Sequence, residues 1–282
     1  MIDLEQILRE TLELTPLSET ANRLATMVTD EDVGLDEIAE VVAYDPPLAG
    51  CALKAANAAS AGSLREIVDV ELAVMRLGPS WILSMAIGNA VKGDLQEAQP
   101  AFGLKDGDLW HHAIASSIAA EEIASFSHGH VPPQSSSAAL LHDVGKIVLA
   151  RHVTRPMQLG IQRGCKKQGL SGLHAETSAM DINHAELGGM IVRHWKLPDA
   201  MASAITHHHH PNEAPEEHRV LAHAVHLADI CANLAWGGAK KSYLSVDELR
   251  DSLEILSLTP RSMVPLVHLV TERTADVLST YS

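Results

Sequence analysis

The segment LLHDVGK, residues 140–146, places an imidazole, a carboxylate and an ammonium close together in the chain. Read as helix, the neighbouring side chains of His142 and Asp143 leave about 100° apart and can flank one metal ion. Lys146 follows His142 by one turn on the same face, where an ammonium can meet a phosphate oxygen. A His-Asp pair alone also arises as an ordinary helix surface pair. Here Ala138, Ala139, Leu140 and Leu141 precede it, and Ile147, Val148 and Leu149 follow. That setting predicts a largely buried helix, in which ionisable groups need partners or a metal.

Partners occur at separated positions. His111 and His112 lie in an earlier periodic stretch, His184 in DINHAELGG, and His207 to His210 at the end of AMASAITHHHH. Asp229 closes a stripe with His223 and His226 inside LAHAVHLADICAN. Neutral imidazoles joined by one or two carboxylates suit Fe, Mn, Zn or Ni, one or two ions, rather than an all-oxygen Mg or Ca site. The remaining histidines read more simply. His128, His130, His152, His174, His194 and His218 fit a surface role, while His223 and His226 can orient ligands from behind. Trp110 and Trp195 read as core anchors.

The elements that must hold these groups are helical. Leu17, Ala21, Leu24 and Val28 recur at helical spacing after Pro16, and Ile38, Val41 and Val42 mark a second helix ending before Asp45-Pro46-Pro47. Further helices are expected over 48–58, broken at Gly62-Ser63, then over 70–77, and from a Ser80 cap through Val91. Residues 93–107 lose periodicity and hold three Gly and a Pro, which predicts a linker between a lobe of residues 1–92 and a lobe of residues 108–282. Asp108 should cap a helix to Phe126. Ser136 or Ser137 should open one helix carrying all of AALLHDVGKIVLARHV, and residues around 164–172 read as loop. Asn183 precedes a helix through Trp195, Pro198 starts a short one, and longer helices follow over 216–235, 246–256 and 260–279.

Composition agrees with an all-α chain. Of the 282 residues 46% are hydrophobic but only 3% aromatic, a core of Ala, Leu, Ile, Val and Met that suits packed helices better than a β-sandwich. The net charge of −15 argues against binding a nucleic-acid polymer or an anionic membrane, both of which need clustered Lys and Arg. The apolar run 81–91 is too short to span a bilayer, and the N-terminus lacks the basic and apolar regions of a secretory signal. Cys51, Cys165 and Cys231 form no CxxC pair, which fits a reducing cytoplasm. The anomaly is 17 histidines, the commonest metal-ligating side chain.

Taken together these segments resemble the HD superfamily of metal-dependent phosphohydrolases, and more closely its HDOD branch, over nearly the whole chain. The stretch TPLSETANRLATMVTDEDVGLDEIAEVVAYDPPLAGCALKAANAASAG is similar to that branch's N-terminal lobe. LWHHAIASSIAAEEIA resembles the helix bearing the first histidine, with His112 at that position, and LLHDVGKIVL resembles the HD signature. NHAELGGMIVRHWKLPDAMASAITHHHHP is similar to the segment with a further His and a His-His pair, here His184, His208 and His209. VHLADICAN resembles the helix with the final Asp, here Asp229. The resemblance implies an HD-superfamily helical domain preceded by an N-terminal helical-bundle lobe. It also implies a metal-ligand set of His112, His142, Asp143, His184, His208, His209 and Asp229, leaving His207 and His210 as the outer half of the run.

Many HDOD members lack these residues and are regarded as signalling modules, whereas this chain retains them. The Gly-Tyr-Pro element of the HD-GYP cyclic-dinucleotide phosphodiesterases is absent after the His pair, where Pro211-Asn212-Glu213-Ala214-Pro215 follows. Two functions are therefore expected to compete. One is a signalling module with a retained metal, taking a protein partner in trans or a phosphorylated small molecule or nucleotide. The other is a metal-dependent phosphohydrolase in which Asp143 and Lys146 act on the phosphoryl group. A sensor built on histidine-bound iron is a third expectation.

Overall fold

In a computed structural model, which describes residues 4–58, 67–105, 107–163, 172–236 and 246–280, the described residues form helices and turns and no strand. The first six helices are α1 (Leu4–Leu12), α2 (Glu19–Met27), α3 (Leu35–Ala43), α4 (Pro46–Ala58), α5 (Val70–Leu77) and α6 (Pro79–Phe102). Their starts follow from short polar side chains that satisfy free backbone donors. The Ser18 hydroxyl accepts the Ala21 N–H at 3.1 Å, so α2 begins past Pro16. Asp45 accepts the Leu48 N–H at 3.1 Å with Pro46 opening α4, and Asp69 accepts that of Leu72 at 3.1 Å to open α5. Gly78, at φ 82°, lets the chain bend by 103° between α5 and α6. The cap expected at Ser80 therefore lies two residues earlier, at Gly78.

The linker expected over 93–107 is mostly helix. α6 continues to Phe102, because Val91, Leu95 and Ala98 keep an apolar stripe that is buried, and Gly93 is accommodated with open space beside it. Pro100 lies in the last turn, and the helix ends at Gly103 in the left-handed conformation. Gln99 then accepts the Leu109 N–H at 3.2 Å and ties the end of α6 to the next helix. The expected partition at residue 92 is blurred in a second way: α1 packs on α9 (Lys146–His152) and α12 (His184–His194). One hydrophobic core runs from Ile7 through Leu24, Val42, Val74 and Ile87 to Leu141, Ile191 and Ile205.

The remaining helices are α7 (Asp108–Phe126), α8 (Ser135–Leu141), α10 (Arg155–Arg163), α11 (Gly172–Met180), α13 (Asp199–His207), α14 (Arg219–Trp236), α15 (Val246–Ile255) and α16 (Met263–Thr280). α7 and α14 meet through Ala115, Ala119 and Ala120 on one side and Ala224, Ala228 and Ala232 on the other, all fully buried. Small side chains let two helices approach closely. That contact sets the separation of His112 on α7 from Asp229 on α14. Trp110 and Trp195 are buried as core anchors. The expected break at Gly62-Ser63, Cys165 and most of the loop expected around 164–172 lie outside the described residues. Among the described residues no single helix is long and apolar enough to cross a membrane.

Candidate metal centre

The helix expected to run unbroken through the HDVGK segment is interrupted. α8 ends at Leu141, residues 142–145 form tight turns, and α9 starts at Lys146. The turns are closed by Val144 N–H to Leu141 O at 2.8 Å and Lys146 N–H to Asp143 O at 3.0 Å. Gly145 lets this turn lie against α12: a Cβ there would stand 2.0 Å from the carbonyl oxygen of His184 and 2.7 Å from the Gly188 nitrogen. Gly189 repeats the device against α13, where a Cβ would meet the Thr206 hydroxyl at 1.9 Å. Glycines thus bring the HD turn, α12 and α13 closer together than side chains allow. The Lys146 ammonium donates to Asp143 Oδ2 at 2.5 Å.

All seven residues expected as ligands converge. His112 Nε2 lies 2.9 Å from Asp229 Oδ1 and 3.2 Å from His142 Nε2, which is itself 3.6 Å from Asp229 Oδ1. Asp143 faces two ways: Oδ2 is 3.5 Å from His142 Nε2, and Oδ1 is 3.3 Å from His184 Nε2. His209 Nε2 lies 3.0 Å from His184 Nε2, and the His208 ring is packed between those of His142 and His209. Among the described residues, three groups bring their donor atoms within 4.8 Å of one another: His184 with His208 and His209, His112 with His142 and Asp229, and His142 with Asp143 and His208.

The outer face of each ring explains why the Nε2 atoms point inward. His142 Nδ1 contacts Ala139 O at 2.7 Å, His208 Nδ1 contacts Ile205 O at 2.7 Å, and His184 Nδ1 contacts Glu176 Oε2 at 2.6 Å. A carbonyl or carboxylate oxygen can only accept, so these Nδ1 atoms carry the proton and Nε2 keeps its lone pair in the neutral ring. His226 Nδ1 donates to His208 O at 2.7 Å and fixes the backbone there, the orienting role considered for it. His208 Nε2 is fully buried and has no hydrogen-bond partner, an atom that calls for a Lewis acid. Neutral imidazoles, two carboxylates and this orphaned nitrogen fit a divalent transition metal.

Charge agrees. Burial, followed by the neighbouring imidazoles, depresses His208 well below the usual histidine range, and burial with His184 beside it takes His209 down to about 3. Both rings therefore stay neutral and able to ligate. Burial opposes ionisation of Asp143, but Lys146, His142 and His184 outweigh it and hold the carboxyl well below the usual range. Asp229 is likewise lowered against its burial by the imidazoles of His112, 2.9 Å away, and His142 beside it. Burial also opposes protonation of His142, while the carboxylates of Asp143 and Asp229 beside it raise its pKa above the ordinary histidine value.

Glu176 is a further residue of the site that residue spacing does not point to. It is buried on α11, and its Oε2 accepts from both the ring and the backbone N–H of His184, the latter at 3.0 Å. It stands in a different helix from His184, so periodicity gave no signal. The other histidines lie outside the cluster. His128, His130 and His174 are exposed, His152 contacts Glu10 at 3.1 Å, and His210 contacts Glu248 at 3.0 Å. His223 contacts the Ser252 hydroxyl at 2.8 Å instead of orienting a ligand.

The family model for the HDOD domain matches residues 14–211, so Asp229 and the last three helices lie beyond the match. An HDOD domain protein of unknown function from Geobacter sulfurreducens is 20% identical and superposes with a TM-score of 0.69 over 99% of this chain and 97% of its own. A Marinobacter aquaeolei VT8 protein, provisionally described as a signal transduction protein, gives 0.74 at 24% identity over 99% of this chain and 61% of its own. A Shewanella amazonensis SB2B protein, provisionally described as a phosphohydrolase, gives 0.66 at 20% identity over 98% of both. These likenesses concern the fold. An uncharacterized protein of Treponema pallidum (strain Nichols) is 24% identical over 208 residues, which cover 72% of this chain and 39% of that protein. The match therefore spans about two fifths of that relative's length.

Proposed function

The chain belongs to the HDOD family, and on that premise we propose that it is a cytoplasmic signal-transduction module built around a divalent transition-metal centre. His112, His142, Asp143, His184, His208, His209 and Asp229 would hold one or two ions. The observation that carries this reading is the inward convergence of the Nε2 atoms, with Nδ1 of His142, His184 and His208 tied to acceptors. The centre is largely closed: the side chains of His142, Asp143 and His184 are 5% exposed or less, while His112, Lys146 and Asp229 reach 16–19% and His209 is half-buried. A closed centre suits a structural or sensing ion whose state is reported by the surrounding helices to a protein partner in trans, or to a phosphorylated small molecule or nucleotide bound at the rim.

A second reading, a metal-dependent phosphohydrolase, is favoured by Lys146. Its ammonium sits beside Asp143 at the partly open rim, where it can neutralise a phosphoryl oxygen. A divalent ion supplies Lewis acidity when bound. Asp143 would hold that ion and orient Lys146, while the buried imidazoles exclude bulk water. Turnover of bis-p-nitrophenyl phosphate and of cyclic dinucleotides, by tag-free protein loaded with Mn or Fe, separates the readings. The regulatory reading expects no rate above an Asp143→Ala control. A rate that the substitution abolishes would establish the hydrolase instead.

A further inference from the structure

The imidazoles of the centre are not held alike. Those of His142 and His208 lean on neutral backbone carbonyls, whereas that of His184 leans on a carboxylate. Glu176 Oε2 accepts from His184 twice, from the ring at 2.6 Å and from the backbone N–H at 3.0 Å. The single oxygen therefore fixes both where α12 begins and how the ring is turned. Asn183 completes this start of α12 by accepting the N–H groups of Ala185 and Glu186 at 3.0 Å.

Glu176 lies on the Nδ1 side of the ring, opposite the edge that faces Asp143 and His209, so it supports a ligand instead of being one. A carboxylate accepting from Nδ1–H draws the proton away from the ring and makes the opposite nitrogen a stronger donor, which a carbonyl does less well. His184 belongs to the group with His208 and His209, a set of three imidazoles. The group of His112, His142 and Asp229 has two imidazoles and an oxygen. Thiolates apart, later first-row divalent ions favour the richer nitrogen set.

We infer that Glu176 is a positioning residue that holds His184 in the Nδ1–H tautomer and makes the pocket of His184, His208 and His209 the one that fills first. This rests on the metal-binding reading above.

The test has one readout in metal-free protein and one with Co(II) alone, both on the full chain without a tag. Imidazole ¹⁵N NMR of the metal-free protein, with His184 assigned by its loss in His184→Gln, should show one Nδ1–H tautomer in the wild type. It should show a mixture in Glu176→Ala. Calorimetric titration should then show the first equivalent of Co(II) weakened about 10- to 100-fold in the isosteric Glu176→Gln. That same step should vanish in His184→Ala and persist in His112→Ala. The inference is overturned if Glu176→Gln and Glu176→Ala match the wild type in tautomer and first-step affinity, or if His112→Ala removes the tight step. If the wild type takes up no Co(II), the metal-binding reading itself falls and this inference with it, and the tautomer readout shows which step failed.

Discussion

Gly145 is pressed against His184, backbone against backbone: a methyl group on Gly145 would stand 2.0 Å from the His184 carbonyl oxygen. The turn that presents Asp143 and the helix that presents His184 are therefore spaced by the lack of one carbon atom. Gly145→Ala forces them apart and costs at least about 1–3 kcal/mol, as overpacked cores do. It also widens the gap between Asp143 Oδ1 and His184 Nε2, so metal uptake falls with stability. Gly50→Ala, in α4 with open space around it, is the matched control and stabilises by about 0.5–1 kcal/mol. Urea unfolding of both variants checks the pair.

If the cluster takes a metal as proposed, loading should stabilise the folded chain, because the unfolded chain has no assembled site. Free ion at 100 times its dissociation constant contributes about 2.7 kcal/mol. Thermal melts with and without Mn(II) should show that rise in the wild type and not in Asp143→Ala, and a chelator should reverse it.

The Asn57 side chain, on α4, reaches across to Ile67 in the irregular segment before α5. Its amide donates to Leu53 O at 2.9 Å and Ile67 O at 2.8 Å, and its oxygen accepts the Ile67 N–H at 2.8 Å. Asn57→Ala removes all three bonds and should cost about 1–3 kcal/mol, read as a lower urea midpoint with unchanged slope.

Glu121 makes stability fall with rising pH. Arg273 of α16 donates to Glu121 at 2.9 Å and to Glu122 at 2.5 Å, so two carboxylates of α7 share one guanidinium. Burial raises the Glu121 carboxyl to about 7, against the pull of Arg273, with the Glu122 charge adding to the rise. The folded chain keeps this proton to a higher pH than the unfolded chain, whose value is the ordinary 4.5. The stability it contributes is complete below that value and is lost as pH climbs through about 7. Melting temperatures from about pH 5 to about pH 7.5 should decline in the wild type and decline less in Glu121→Gln. Equal slopes would contradict the assignment.

Much of the helical pattern was legible because apolar spacing and short polar caps are local signals. α5 falls at 70–77 as expected, and Asn183 caps α12 through its own side chain. The misreadings share a cause. Gly93 sits in open space inside a helix that the buried stripe around it continues, and only the assembled fold supplies the His184 carbonyl that Gly145 must avoid. The candidate ligands were legible through spacing and family resemblance taken together. Glu176 was not, because its role comes from one contact between separate helices. The two halves of the Asp143 carboxylate, one toward His142 and one toward His184, likewise emerge only from the broken helix.

The most direct test is the metal content of the tag-free chain and of Asp143→Ala, each stripped by chelation, reloaded with Mn(II) or Fe(II), and desalted before elemental analysis. Convergence of these donors predicts one or two ions retained per wild-type chain and none held tightly by the variant. A wild-type chain that stays empty, or a variant that retains as much as the wild type, would contradict the assignment of this cluster as a metal centre.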